Sequence, residues 1–142
     1  MGRKKAMLVV LAMVGMLAAS PFVWADGKAE EEALVSANAW LSLVDHGAYA
    51  ESWEQSASYV KGMVKQEELG TDLGGGRRPL GKVISRQVTS KQYATTLPGA
   101  PDGEYVVIQY QTSFENKKES VETVTPMREK DGSWKVAGYH IR

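Results

Sequence analysis

The sequence predicts an α+β domain in which two or three helices precede a four-stranded antiparallel sheet. Apolar residues recur at three- and four-residue steps in the first half of the chain, whereas the second half is rich in Val, Ile, Thr and Tyr. Short turn signals separate the strand-like segments, and short connectors join antiparallel neighbours because parallel pairing needs a long crossover. Helices grouped ahead of an antiparallel sheet are expected to cover one of its faces.

The first 25 residues have the pattern of a secretory signal peptide. A basic head at residues 3–5 precedes an apolar run over residues 6–19, and Ala25 supplies a small residue for the cut. The alternative is a retained membrane anchor, but Pro21 interrupts the run. We therefore expect cleavage after Ala25, a periplasmic or secreted protein, and contact with a membrane only during export. The mature chain would then be residues 26–142.

The composition of that mature chain excludes several classes of protein. The full chain has 17 basic and 17 acidic residues, and loss of the three basic residues at 3–5 leaves 14 against 17. A net charge near −3 does not suit a nucleic-acid binder. The chain has no cysteine, so disulfides and thiol chemistry are excluded and a single domain of this length must be stabilised by an apolar core.

Two helices are predicted in the first half of the mature chain. In the first, Lys28 to His46, acidic residues occupy the first turn, where the helix dipole favours anions, and the apolar positions are Leu34, Ala37, Leu41 and Val44. The second is predicted to end near Glu68, and its apolar face consists of Trp53, Ala57, Val60 and Val64. Residues 70–81 contain five glycines and one proline, which indicates a loop.

Four strands are predicted after this loop. Their segments have β-branched and aromatic residues and are bounded by turn signals such as Asp131-Gly132. The predicted strands are Val83–Thr96, Glu104–Phe114, Ser120–Met127 and Trp134–Ile141.

Several motifs in fixed order resemble an exported bacterial family catalogued as domain of unknown function 4019. They are WLSLVD (40–45), YAESW (49–53), RPLGKVISR (78–86), LPGAPDG (97–103) and GSWKVAGY (132–139). The resemblance covers nearly all of the mature chain, and it implies no activity.

The order of elements is also similar to the nuclear transport factor 2-like cone, which is a cystatin-like arrangement of helices and a curled sheet. That resemblance implies a conical cavity at the open end of the sheet, where a ligand would bind. Such cones include isomerases, dehydratases and binding modules, so the fold alone does not fix the function.

The stretch from Gly76 to Lys82 is close to a phosphate-binding loop but fails its requirements. Val83 stands where the loop needs a hydroxyl, the segment follows a helix rather than a strand, and Pro79 lacks a backbone donor. We interpret the stretch as a flexible connector with solvated Arg77 and Arg78. The alternative is that these two guanidiniums bind an anion at a cleft.

Metal sites and hydrolase triads are not indicated. The two histidines, His46 and His140, are far apart and have no carboxylate at ligand spacing. No Gly-x-Ser-x-Gly motif places a serine nucleophile. We predict no metal and no cofactor.

Polar residues in the strands supply the remaining site candidates. Arg86 and Glu122 could orient a ligand or form a plain cross-strand ion pair, and we favour the plain pair. If Ile108, Tyr110 and Phe114 face inward, the Tyr110 hydroxyl does so too, although a slip of one residue reverses the assignment. Inward placement of Trp134 and Val136 would likewise bring His140 to the inner side. Trp53 is a further ligand-binding candidate, although it more often belongs to a core.

The sequence leaves three functions open. The leading hypothesis is a non-catalytic module that binds a small molecule or an envelope protein, with a possible homodimer through the exposed sheet face. The first alternative is a small isomerase or dehydratase with His140 or Glu122 as its base and Tyr110 or Arg86 polarising a carbonyl. The second is a structural envelope protein that works through an exposed apolar patch.

Overall fold

The computed structural model describes residues 23–142, and it has the predicted α+β architecture. The predicted signal peptide lies largely outside this range and stays a prediction. No helix within the described range is long and apolar enough to cross a membrane. The helices are α1 (Val23–Asp45), α2 (Tyr49–Glu54), α3 (Ser58–Met63) and α4 (Gln66–Arg77), and the strands are β1 (Val83–Ala94), β2 (Tyr105–Phe114), β3 (Lys117–Arg128) and β4 (Trp134–Ile141).

The four strands form one antiparallel sheet in the order β1-β2-β3-β4. The predicted strand positions are confirmed to within a few residues. Strand β1 contains two register shifts, between Val83 and Ser85 and between Val88 and Ser90. At the other edge of the sheet, the backbone of Ser56 forms an isolated parallel bridge with Val136 of β4.

The second predicted helix is wrong, because the segment forms two short helices, α2 and α3, and the start of α4. The first break lies at Ala57, whose backbone is extended and whose N–H donates to the carbonyl of Val136 at 2.8 Å. The second break lies at Val64 and Lys65, which are also extended. The apolar spacing that suggested one continuous helix is interrupted because the sheet edge takes up a backbone donor at the first break.

The predicted loop at residues 70–81 is also wrong over most of its length, because residues 66–77 form α4 and a 3₁₀ turn follows at Arg78–Leu80. Leu69 and Leu73 anchor α4 in the core. Gly70 faces the Tyr49 side chain, and a Cβ on Gly74 would come within 2.4 Å of the Arg78 guanidinium. These glycines permit close packing rather than flexibility.

The sheet has two packed faces, because residues alternate along each strand. Ile108, Tyr110 and Val124 lie on the face covered by α1 and α4, which we call the inner face. On the outer face, Tyr105 and Val107 belong to a second, smaller cluster that includes residues of α3 and of the β1–β2 loop. Helices and loops therefore pack on both sides of one end of the sheet.

A glycine-to-alanine pair tests the assignment of α4. Gly75 is exposed, and a Cβ there meets nothing within 4 Å. Because alanine favours a helix interior, Gly75→Ala should raise the free energy of unfolding by about 0.5–1 kcal/mol in urea titrations.

The contrasting variant is Gly81→Ala. Gly81 has φ +77°, a backbone conformation that disfavours alanine, and the added Cβ would lie 2.6 Å from Glu115 Oε1. The free energy of unfolding of this variant should therefore fall by roughly 2 kcal/mol. Equal small effects at both positions would contradict a helix at 75 and a strained turn at 81.

Candidate functional site

Six side chains converge on the inner face at one end of the sheet. The four strands contribute Arg86, Thr112, Glu122 and Tyr139, one from each, while α1 and α4 each contribute their last residue, Asp45 and Arg77. We call this set the charge network. It joins both long helices to all four strands.

Glu122 lies at the centre of the charge network and is fully buried. Its Oε1 accepts from Arg86 Nε at 2.7 Å and from Thr112 Oγ1 at 2.6 Å. Its Oε2 accepts from Arg86 Nη2 at 3.2 Å and from the hydroxyl of Tyr139. Four donors therefore surround a carboxylate that has no contact with water, as a buried charge requires.

Asp45 forms the second carboxylate of the charge network and keeps 22% of its side-chain surface exposed. Arg77 Nη2 donates to Oδ1 at 2.8 Å, and Arg86 donates to both oxygens at 2.8 and 3.0 Å. Burial alone would raise the pKa of Asp45, but the hydrogen bonds and positive charges of Arg86 and Arg77 outweigh it and lower the pKa.

The two arginines balance the two acids. Burial would lower the pKa of Arg86, but its bonds to Asp45 and Glu122 raise the pKa instead. The pKa of Arg77 is likewise raised against the effect of burial, through Tyr139 and Asp45. Two positive and two negative charges thus form a closed, neutral group.

Aromatic rings line the apolar side of this group. The Arg77 guanidinium carbon lies 4.9 Å from the ring centre of Phe114, and that of Arg86 lies 5.9 Å from the ring centre of Tyr110. Burial raises the pKa values of Tyr110 and Tyr139. Both phenols therefore stay neutral and act as hydrogen-bond donors.

The cavity beside Tyr139, between the helices and β4, is small. Its volume is about 10 Å³, which is about the space that one water molecule needs. Its walls are mostly apolar and consist of Trp40, Ser56, Val60, Leu69, Leu73, Val136, Ala137, Gly138 and Tyr139. The conical ligand cavity expected from the sequence stays a prediction.

The structure brings together most of the polar candidates chosen from the sequence. Arg86 and Glu122 form an ion pair, but it is not the plain cross-strand pair that we favoured, because Glu122 is buried and β2 lies between their two strands. The Tyr110 hydroxyl faces inward, where it donates to Asn38 Oδ1 at 2.8 Å. Arg77 is buried rather than solvated, so that part of the connector interpretation is wrong. Arg78 is exposed, and its guanidinium carbon lies 5.2 Å from the ring centre of Tyr49.

Trp53 lies apart from the charge network. Its indole N–H donates to the carbonyl of Val64 at 2.8 Å, and Lys61 lies 5.6 Å above its ring. The side chain is partly buried against the main core. Its role as a ligand platform stays a prediction.

The expectation that His140 faces inward with Trp134 is wrong. Thr125 pairs with Gly138, but its neighbour Pro126 pairs with Val136, so β4 has one extra residue at 137. This bulge reverses the alternation along the rest of β4. Tyr139 therefore joins the core on the inner face, and His140 lies opposite Thr123 on the outer face.

Three members of the network were not selected from the sequence as site residues. Asp45 follows the core residue Leu41 by four positions, so both lie on one side of α1. This spacing could have indicated that Asp45 faces the core. Thr112 lies two residues after Tyr110 in β2 and therefore faces the same side of the sheet, so it could have been selected with Tyr110. Tyr139 could not have been selected in this way, because the bulge in β4 changes the face on which it lies.

Within residues 23–142, no group of three or more His, Cys, Asp or Glu side chains is placed to hold a metal ion. The site is instead a closed network of ion pairs in an α+β domain with a curled antiparallel sheet.

The chain belongs to DUF4019, a family of proteins of unknown function, which it matches over residues 36–139. All six members of the charge network lie in the matched range. No curated protein and no solved structure matches the chain.

Neutralising Glu122 should destabilise the fold strongly. Glu122→Gln keeps the side-chain shape but removes the fully buried one of the two counter-charges of Arg86 and leaves only Asp45. The free energy of unfolding should therefore fall by about 3 kcal/mol. Urea denaturation measures the loss. The matched control is Glu31→Gln, which breaks the exposed pair with Lys91 and should cost less than about 1 kcal/mol. Similar losses in both variants would contradict a central role for Glu122.

The lowered pKa of Asp45 also predicts a pH dependence. Its ordinary value is 3.8, and its folded value lies below that. The stabilisation is therefore complete above the unfolded pKa and is lost as the pH falls through the folded pKa. Between about pH 5 and pH 2, Asp45→Asn should show a shallower decline in unfolding free energy than the wild type. Identical slopes would mean that Asp45 is not held ionised by its arginines.

Proposed function

We propose that this protein is an exported, non-catalytic module that binds a protein partner through its outer surfaces. The observation that supports this is the small size of the cavity beside Tyr139, under the helices. Its volume of about 10 Å³ is far below the roughly 300–1,000 Å³ typical of a small-molecule site. The family gives no activity that argues otherwise.

The chemistry of Glu122 also favours a structural role over an enzymatic one. A general base must reach the proton that it removes, directly or through one water molecule. All four contacts of the Glu122 carboxylate are made by Arg86, Thr112 and Tyr139. His140, the other candidate base, lies on the opposite face of the sheet, so the two cannot act on one substrate.

A carboxylate-binding site is the second candidate, and one observation favours it. Arg77 Nε is buried without a hydrogen-bond partner among the described residues, while Arg86 and Asp45 keep 16% and 22% of their side-chain surface exposed. A ligand carboxylate of the same shape as Asp45 would find two guanidiniums arranged to receive it. In the native chain, Asp45 occupies that position.

Chemical rescue separates the two candidates. Asp45→Ala should leave a gap between Arg77 and Arg86, and millimolar acetate should raise the melting temperature of this variant by mass action. The wild type should show no shift, because its own carboxylate fills the gap. Sodium chloride at equal ionic strength controls for screening.

An equal acetate shift in the wild type would overturn the closed-site argument and favour a ligand-binding function. A panel of larger carboxylates and neutral metabolites extends the same measurement. A small molecule that stabilises the wild type, and fails to stabilise an Arg86→Lys variant, would replace protein binding as the conclusion.

A further inference from the structure

A stripe of exposed or half-exposed residues runs along α1 on the side away from the charge network. Its members recur at three- and four-residue steps, which keeps them on one side of a helix. Val35 is 71% exposed, the largest such fraction among the bulky apolar residues that the structure describes. The stripe consists of Glu32, Val35, Ser36, Ala39, Ser42, Leu43 and His46.

An open groove borders this stripe. It lies between α1 and the turn that joins β3 to β4, and its volume is about 560 Å³. Trp134 and Ser133 form its far wall near Glu32, while Gln55 and Lys135 form its wall near Leu43. A helix laid along α1 could place its side chains in this groove.

The stripe is self-complementary about Ala39. If a second copy of α1 lies antiparallel with the two-fold axis at that residue, Val35 faces Leu43 of the second copy and Ser36 faces Ser42. Apolar groups thus meet apolar groups, and hydroxyls meet hydroxyls. An isologous two-fold interface requires this property, because each patch must fit its own copy.

Size and charge at the two ends follow the same symmetry. The small Ala39 side chain at the axis allows the helices to approach to about 8 Å, the lower end of the usual range. By the same symmetry, Glu32 of one copy faces His46 of the second copy, and the cationic Lys135 lines the same groove. Lys135 forms no ion pair among the described residues, and its Nζ donates only to Gln55 Oε1 at 3.2 Å.

We propose that two copies of this chain form a two-fold dimer through antiparallel α1 helices, with each helix seated in the groove of the other. This dimer differs from one through the sheet, whose outer face is partly covered by α3 and the β1–β2 loop. It does not depend on the function proposed above, since a dimer of this kind leaves the rest of the surface available.

A single cysteine provides the sharpest test, because the chain has no cysteine of its own. Two copies of Ala39→Cys at the axis would bring their Cβ atoms close enough for a disulfide, which needs about 3.5–4.5 Å. Mild oxidation of the exported protein should give a covalent dimer on a non-reducing gel. Ala50→Cys, at an exposed alanine of α2, is the matched control and should stay monomeric on the gel.

Sedimentation equilibrium measures the association itself. Ala39→Arg should weaken dimerisation by at least about tenfold, whereas Ala50→Arg should leave it unchanged. Unchanged circular dichroism and melting temperature would confirm that both variants fold. A monomer at all concentrations up to about 100 μM, which corresponds to a weak interface, would overturn the dimer and leave the proposed function standing.

Charge exchange tests the orientation. Glu32→Lys alone and Lys135→Glu alone should each weaken the dimer, because each leaves the shared groove, which both residues line, with charges of one sign. A mixture of the two variants should form a heterodimer more strongly than either variant associates with itself. A dimer that survives Ala39→Arg, or a mixture without preference, would show another interface and overturn this one.

Discussion

The fold depends on one buried carboxylate, that of Glu122. A charge without water costs several kcal/mol unless counter-charges and donors surround it, and the chain must therefore deliver Arg86, Thr112 and Tyr139 to one point. Arg86 in turn extends to Asp45, and Asp45 to Arg77. The ends of α1 and α4 are thus fixed against the sheet by charge, while their apolar faces are fixed by Leu41, Leu69 and Leu73. Apolar burial supplies most of the stabilisation, but the charge network restricts the two helices to one position.

The same network occupies one end of the inner face. The chain's own acids and arginines meet there, between the ends of α1 and α4 and the strands. The two acids match the two arginines, so the group carries no net charge to attract a ligand. The rings of Trp40 and Tyr139 pack edge to face beside the charge network, with ring centres 5.1 Å apart.

The sequence predicted the sheet more accurately than the helices, for physical reasons. Strand periodicity is local, and each strand of this sheet lies between clear turns. The break at Ala57 depends on a hydrogen bond to Val136, which is far away in sequence, so no local pattern could reveal it. The helix at 66–77 was missed because its glycines resemble a loop, although they serve close packing around Tyr49 and Arg78. Of the site residues, the pair Arg86–Glu122 could be proposed from the alternation of residues along the strands. The bulge at residue 137 could not be predicted in this way, and it places Tyr139 on the inner face and His140 on the outer face.

The two edges of the sheet differ in a way that bears on the risk of aggregation. At the β4 edge, the bridge from Ser56 to Val136 and the Ala57 donor occupy backbone groups that a foreign strand would otherwise use. At the β1 edge, the two register shifts interrupt the regular spacing of free donors and acceptors, which makes the edge a poor template for another chain. A chain without cysteine cannot rely on disulfides and benefits from such protection, since incompletely folded copies would otherwise add to one another strand by strand.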